Sequence, residues 1–125
     1  MFSKIIASIE SYDVITIFGH TSPDGDCYGS LNGLKNIIET TFPKKRVFCL
    51  TSYVESLVFI GKMDVIDNHE LEGALAIVCD TSTRERIADQ RYKLCKEIRL
   101  LGWRTRWRNS EMGWTGCRLV NTRVP

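Results

Sequence analysis

One imidazole and two carboxylates lie close together in a single short loop, as His20, Asp24 and Asp26. These residue types suit Mn²⁺ or a similar divalent ion, whereas a thiol-rich set would have favoured structural zinc. Pro23 and Gly25 bend the chain, so the two aspartates need not point to opposite sides as they would on a strand. The loop is therefore a candidate metal site.

The same loop also has a structural interpretation. Turns rich in Pro, Asp and Gly commonly precede helices, and an Asp or Ser then caps the helix without any chemistry. Gly29 and Ser30 are predicted to open the helix that follows. A helix amino terminus carries a partial positive charge that suits a phosphate group, so a functional role for the loop stays open beside the structural one.

Periodicity predicts the elements that position this loop. Residues 14–18 are an uninterrupted β-rich run that Gly19 closes, which is typical of a strand covered on both faces. Apolar residues at helical spacing then predict a helix that ends before Pro43, and residues 47–50 predict a second strand. The other predicted elements are an opening helix with Ile5, Ile6 and Ile9 behind a Ser3 cap, a short helix within 54–62, a brief strand at 64–66, a strong strand at 74–79 and a helix over 89–97.

This element order predicts an α/β layered domain with a mostly parallel sheet flanked by helices. In such sheets ligands bind beyond the carboxyl ends of the strands. The loop that contains His20 and the loop that starts at Asp80 both leave from that end if their strands are parallel. Carboxylates that are distant in the sequence can therefore meet in one site.

The loop motif, His20-x-x-x-Asp24-x-Asp26 between a buried strand and an apolar helix, resembles the first motif of the DHH phosphoesterase superfamily. Residues 78–82 (Val-Cys-Asp-Thr-Ser) resemble its second motif, in which a strand ends on an Asp. The resemblance covers residues 1 to about 98. Residues 86–89 (Arg-Ile-Ala-Asp) are most similar to the branch of oligoribonucleases and phosphoadenosine phosphate (pAp) phosphatases, and inorganic pyrophosphatases are more distant relatives.

The resemblance implies two adjacent Mn²⁺ ions and gives three aspartates a catalytic role. His20 and Asp24 would hold the first ion, Asp26 the second, and Asp80 would bridge both. A water activated by the ions would then attack the phosphate, with no Ser or Cys nucleophile. The implied substrates are short oligoribonucleotides or a nucleoside 3′,5′-bisphosphate.

Two arginines follow the second motif, at Arg84 and Arg86. A guanidinium group can bind phosphate through two parallel hydrogen bonds, so both are candidates for the substrate side of the site. The alternative is that they are solvated cations of a helix start.

The sequence departs from the family after Ile98. The third motif of the family, Asp-His-His, is expected there, but residues 99–103 read Arg-Leu-Leu-Gly-Trp, and the only histidine besides His20 is His69, predicted to lie in a loop. A later Asp and a carboxy-terminal substrate domain are expected as well and are not found in these 125 residues. By the family pattern the second metal keeps two of four protein ligands, so one Mn²⁺ is expected to bind tightly and catalysis by the chain itself is left open.

The composition also changes at this point. Residues 1–98 contain 11 Lys and Arg against 14 Asp and Glu, whereas residues 99–125 contain 6 Arg against 1 Glu and all three tryptophans. This predicts an amino-terminal domain piece over 1–98 and an atypical tail over 99–125, disordered or produced by a shifted reading frame. Interleaved Arg and Trp could instead bind single-stranded nucleic acid. We favour the frame shift, which predicts that the other frame after Ile98 encodes Asp-His-His.

Composition and cysteine usage set the remaining expectations. The first residues contain neither a signal-like nor a membrane-spanning run, so a cytoplasmic location without membrane association is expected. The five cysteines have no zinc-type spacing and are predicted to be reduced, mostly buried thiols. Two other function classes stay open, a non-catalytic relic or basic-tailed nucleic-acid-binding protein and a pyrophosphatase-like hydrolase; the sequence gives no oligomeric state.

Overall fold

A computed structural model of the chain describes residues 2–21, 23, 25–61, 63–79, 84–101 and 118–121. Its five strands form one sheet in the order β2-β1-β3-β4-β5, and every pair of neighbouring strands is parallel. The predicted α/β layered class is therefore confirmed. The elements are α1 (Phe2–Ser11), β1 (Val14–Phe18), α2 (Gly25–Thr41), β2 (Arg46–Leu50), α3 (Asn68–Glu72), β3 (Leu75–Cys79), β4 (Glu97–Leu101) and β5 (Arg118–Asn121), with 3₁₀ turns at Glu55–Leu57, Arg84–Arg86 and Gln90–Leu94.

Strand β1 lies between β2 and β3, so the chain leaves β1 toward one side of the sheet and returns on the other. Such a topological switch point opens a crevice at the carboxyl ends of the two strands, where ligands of α/β proteins bind. Phe18, the last residue of β1, is level with Leu50 of β2 and with Val78 of β3. The loops after β1 and β3 therefore begin side by side at this crevice.

The sheet is covered on both faces, which explains the uninterrupted apolar runs in its strands. Along β3, Leu75 and Ile77 belong to the cluster that α1 and α2 cover, while Ala76 and Val78 belong to the cluster covered by α3 and the 3₁₀ turn Gln90–Leu94. All four of these side chains are fully buried. The β-rich pattern of the sequence therefore reports burial on two sides, as expected for parallel strands.

Strand β1 has the predicted bounds, but the starts of two helices differ from the prediction. Helix α1 begins at Phe2, so Ser3 lies inside it and is not its cap. Helix α2 begins at Gly25, one turn before the predicted start at Gly29 and Ser30. This earlier start matters for the site, because it places Asp26 in the first turn of α2.

Two predicted elements are wrong. Residues 64–66 form no strand: Asp64 bonds to Cys49 of β2 through its amide and its side chain, and Val65 is 95% exposed. The helix over 89–97 is replaced by the 3₁₀ turn Gln90–Leu94 and by β4. Pairing of β4 with β3 overrides the weak helical preference of this segment.

The composition boundary after Ile98 falls within β4. This strand pairs with β3 from Glu97 to Leu101 without interruption, and β5, within the predicted tail, pairs with β4 in parallel register. Residues 102–117 and 122–125 lie outside the described residues. The division into a domain piece and a tail, and the disorder of that tail, stay predictions.

None of the four described cysteines forms a disulfide bond. Cys49 and Cys95 are buried, whereas Cys27 and Cys79 are half-buried, so the expected burial holds for two of the four. Burial raises the pKa of the Cys49 thiol to about 12, and its Sγ donates a hydrogen bond to the carbonyl of Leu31 at 3.3 Å. Cys49 is therefore a packing residue with no thiolate at neutral pH.

A buried ion pair lies where α1 covers β4. Glu97 and Arg99 are 7% and 8% exposed and are joined by a contact of 3.1 Å between Arg99 Nε and Glu97 Oε2. The hydroxyl of Ser8 donates to the same carboxylate oxygen at 2.8 Å and accepts from Arg99 Nε at 2.7 Å. Arg99 Nη1 has no hydrogen-bond partner among the described residues. Glu97 therefore supplies the compensating charge for a desolvated guanidinium.

Removing that charge with Glu97→Ala is expected to lower the free energy of unfolding by about 3–5 kcal/mol, because the buried guanidinium loses its counter-charge. Urea unfolding followed by circular dichroism measures the change. The control is Glu70→Ala, which removes the partner of the exposed Arg46 and should cost less than about 1 kcal/mol. Equal losses in the two variants would show that the Glu97 pair behaves as a surface pair.

Candidate metal and phosphate site

The loop after β1 is fixed to β2 on one side. The amide of Gly19 donates to the carbonyl of Leu50 at 3.1 Å, which extends the pairing of the two strands by one residue. The hydroxyl of Thr51 then donates to the carbonyl of His20 at 2.9 Å. The backbone on both sides of the imidazole is thus held by the residues that end β2.

On the other side, the chain that returns from β3 is bonded to the same loop. The amide of Thr21 donates to the carbonyl of Arg86 at 2.6 Å, and the amide of Ala88 donates to the carbonyl of Gly19 at 3.0 Å. These two bonds flank His20, which forms an antiparallel bridge at this point. Arg86 is consequently held beside the His20 loop, and its side chain is exposed.

Gly19 is closely surrounded by three side chains. A Cβ at this position would stand 2.9 Å from Leu31 Cδ1, 3.0 Å from Cys27 Sγ and 3.0 Å from Thr51 Oγ1. The absence of a side chain at this position lets the end of β1 pack directly against α2. The glycine that closes the strand pattern in the sequence therefore brings the helix start up to the loop.

In its neutral form, the imidazole of His20 has the tautomer that a metal ligand needs. Its Nδ1 lies 2.7 Å from the carbonyl oxygen of Thr21. A carbonyl oxygen only accepts, so in the neutral ring Nδ1 carries the proton and Nε2 carries the lone pair. Metal-binding histidines commonly donate their other ring N–H to a backbone carbonyl in this way. The half-buried His20 ring therefore fits a divalent metal ion.

Asp26 is exposed in the first turn of α2, where the positive end of the helix favours a carboxylate or a bound anion. The start of the helix is held by Tyr28, which is fully buried. The Tyr28 hydroxyl donates to the carbonyl of Ser52 at 2.9 Å and accepts from the amide of Val54 at 2.8 Å. The chain after β2 thus anchors the helix turn that carries Asp26.

The side chains of the other predicted site residues lie outside the part of the chain that the structure describes. Asp24 and Asp80 lie outside the described residues, as does the side chain of Arg84. Among the residues that are described, no group of three or more His, Cys, Asp or Glu side chains is close enough to hold a metal ion. The complete ligand set with His20 and Asp26 stays a prediction, and the register of β1 with β3 is what supports it.

The segment that returns to the loop is itself fixed by an ion pair. Arg91 Nη2 lies 2.8 Å from Asp89 Oδ2, and Arg91 Nη1 donates to the carbonyl of Ile66 at 2.7 Å. Burial raises the pKa of Asp89, but hydrogen bonds and the charge of Arg91 lower it by more, so the pKa lies below its usual value. The carboxylate therefore stays ionised and keeps the residues around Arg86 in place.

The sequence did not indicate the structural roles of Tyr28, of Thr51 or of the residues around Ile87 that bridge to His20. Each acts through a backbone carbonyl or amide that is distant in the chain, which no local pattern reveals. Tyr28 alone left a signal, as an aromatic residue in the polar stretch between the loop and the apolar face of α2.

No helix within the described part of the chain is long and apolar enough to cross a membrane.

A parallel sheet with a loop of His and Asp residues at its switch point is the arrangement that the DHH phosphoesterase motifs indicated. No protein-family model matches the chain. Curated proteins do: it is 46% identical over 92 residues to the bifunctional oligoribonuclease and PAP phosphatase NrnA of Bacillus subtilis, over 74% of this chain and 29% of that protein. A probable NrnA of Streptococcus mutans is 48% identical over 92 residues, covering 73% of this chain and 29% of the relative.

A third protein with this name, from Mycoplasma pneumoniae, is 37% identical over 90 residues, covering 68% of this chain and 28% of the relative. The resemblance to the oligoribonuclease and pAp phosphatase branch is thereby confirmed, and the chain is a relative of these proteins. It spans less than a third of their length.

Proposed function

We propose that this chain carries the metal-binding part of a manganese-dependent DHH phosphoesterase that acts on short oligoribonucleotides or a nucleoside 3′,5′-bisphosphate. The observation that carries the proposal is the environment of His20, whose backbone is held from both sides while Nδ1 donates to a carbonyl. The names of the relatives support the substrate class. Manganese dependence, a cytoplasmic location and impaired activity of the chain alone are parts of the same proposal.

In this proposal four residues hold the ions. His20 and Asp24 would hold one, Asp26 would hold the other, and Asp80 would be a ligand of both. When bound, paired divalent ions activate a water and stabilise the leaving oxygen. The chain would position the substrate around them: the amino terminus of α2 would stabilise the charge of the phosphate, and Arg86, whose backbone is held beside the His20 loop, would bind it.

A pyrophosphatase-like activity and a non-catalytic nucleic-acid-binding role are the competing functions. Neither has a supporting observation in the described residues. Each predicts a binding preference that differs from that of the proposed phosphoesterase. Binding measurements therefore separate them without requiring turnover.

With Mn²⁺ present, the chain is expected to bind pAp and a short RNA at least about tenfold more tightly than inorganic pyrophosphate. Isothermal titration calorimetry with each ligand measures this preference. His20→Ala should abolish the Mn²⁺-dependent part of the binding, whereas His69→Ala, at an exposed histidine of α3, should leave it unchanged. Tighter binding of pyrophosphate, or RNA binding that does not depend on Mn²⁺, would favour one of the competing functions.

A further inference from the structure

Two aromatic side chains are exposed in the segment of residues 51–61, which follows β2. Tyr53 is 67% exposed and Phe59 is 82% exposed, whereas Phe18, Tyr28 and Tyr92 are fully buried. Large aromatic surfaces are costly to leave in water, and two of them in one short segment indicate a surface that binds something.

The backbone around Tyr53 is held against the candidate site. Thr51, two residues before it, donates to the carbonyl of His20. The residues on either side, Ser52 and Val54, both bond to the Tyr28 hydroxyl. The Cα of Tyr53 is therefore at most about 7 Å from that of Thr51, by the reach of two residues.

Phe59 is next in the sequence to a residue that contacts the same helix start. Its neighbour Ile60 extends to the first residue of α2, since a Cβ at Gly25 would stand 3.7 Å from Ile60 Cδ1. Gly25 directly precedes Asp26. The segment that carries the two exposed aromatics thus contacts both the His20 loop and the start of α2.

We propose that Tyr53 and Phe59 form a base-stacking surface for the nucleobases of a single-stranded oligoribonucleotide whose phosphate occupies the His20 loop. This inference rests on the proposed function. Unpaired bases stack on aromatic side chains with little dependence on sequence, which suits an enzyme of short RNAs. The backbone bonds around Tyr53 hold its position before the ligand arrives, so little ordering is needed on binding.

A protein partner is the less suitable occupant of this surface. The exposed aliphatic residues of the described chain are scattered, as Ile6, Ile37, Val65 and Leu94, except for Val58, which is 41% exposed and adjoins Phe59 in the sequence. Among residues whose exposure is described, both exposed aromatics lie next to the site. That placement favours a ligand with a flat apolar group close to a phosphate, which is the chemistry of a nucleotide.

The test is a titration of a fluorescein-labelled triribonucleotide with the full chain and Mn²⁺, followed by fluorescence anisotropy. Tyr53→Ala and Phe59→Ala are each expected to weaken binding about tenfold. Tyr53→Phe, which keeps the ring, should bind like the original chain. The matched control is Ile37→Ala, an exposed apolar position on α2 about 16 Å along the helix from Asp26.

A second probe replaces the bases. An abasic ribose-phosphate trimer should bind the original chain weakly. Its affinity should match that of the normal trimer for a variant with both Tyr53→Ala and Phe59→Ala. Unchanged affinity in the alanine variants, or equal binding of the abasic and normal trimers, would overturn the base-stacking surface. A change of oligomeric mass in the Tyr53→Ala variant with unchanged RNA affinity would overturn it in favour of a protein contact.

The outcomes also separate this inference from the proposed function. If the original chain binds neither the trimer nor pAp in Mn²⁺, the proposed function fails and the base-stacking surface fails with it. If the original chain binds both and the aromatic variants bind equally well, only the base-stacking surface fails.

Discussion

Replacing the residues after Ile98 with the corresponding segment of the Bacillus subtilis relative is expected to increase the rate of short-RNA hydrolysis roughly a thousandfold or more over the present chain. The resemblance assigns the second metal ion four protein ligands. Asp26 and Asp80 would supply two, and the Asp-His-His motif the others. Residues 99–101 read Arg-Leu-Leu instead. The second metal ion would therefore be held weakly, and the two ions could not together activate a water and stabilise the leaving oxygen.

The sheet explains why this stretch matters. Strand β4 is parallel to β3, and Leu101 at its carboxyl end is level with Cys79, the residue before Asp80. A motif at the carboxyl end of β4 would therefore enter the same edge of the sheet as the loops after β1 and β3. The sequence at that end, Leu101 followed by Gly102 and Trp103, offers no metal ligand.

The measurement is Mn²⁺-dependent release of mononucleotides from a short RNA by the chain, the chimera and the chimera with Asp26→Ala. The chimera with Asp26→Ala should have the low rate of the present chain, because the substitution removes a predicted ligand of the second metal ion. Rapid turnover by the unextended chain would mean that residues 99–125 or a partner subunit supply ligands that the family pattern does not predict.

The sequence predicted secondary structure best in segments where burial alone determines which residues occur. Apart from Thr16, residues 14–18 and 75–79 are apolar because both faces of the sheet are covered, and this burial let the sequence predict the bounds of β1 and, to within one residue, those of β3. The helix predicted over 89–97 is wrong because the helical preference of this segment is weak, and pairing with β3 turns Glu97 and its successors into a strand. Non-local pairing is invisible to periodicity.

The candidate site was likewise predictable from the sequence only in part. His20 and Asp26 could be selected from residue type and spacing, because carboxylates and imidazole in a bent loop are a local pattern. What holds the backbone around the imidazole could not, since the hydroxyl of Thr51 and the carbonyl of Arg86 come from segments that are distant in the chain. The sequence therefore indicates which groups can do chemistry, and the topology determines how they are held.

The chain is expected to bind one Mn²⁺ at least about a hundredfold more tightly than a second. The first ion has His20, Asp24 and Asp80 as predicted ligands, and the His20 ring already has its lone pair on Nε2 because Nδ1 donates to a carbonyl. The second ion has only Asp26 and Asp80, and two carboxylates without imidazole leave most of its coordination to water.

Calorimetric titration of the chain with Mn²⁺ measures both affinities. His20→Ala is expected to weaken the tight site by at least about a hundredfold, because even the residues that orient a metal ligand contribute tenfold to a hundredfold to affinity. Asp80→Asn should weaken both sites, and His69→Ala, an exposed histidine away from the loop, should change neither. Two equivalent high-affinity sites, or unchanged binding in the Asp80→Asn variant, would contradict the ligand assignment. They would also remove the reason for expecting low activity, since a chain that holds both ions tightly already has the groups that phosphate-ester hydrolysis needs.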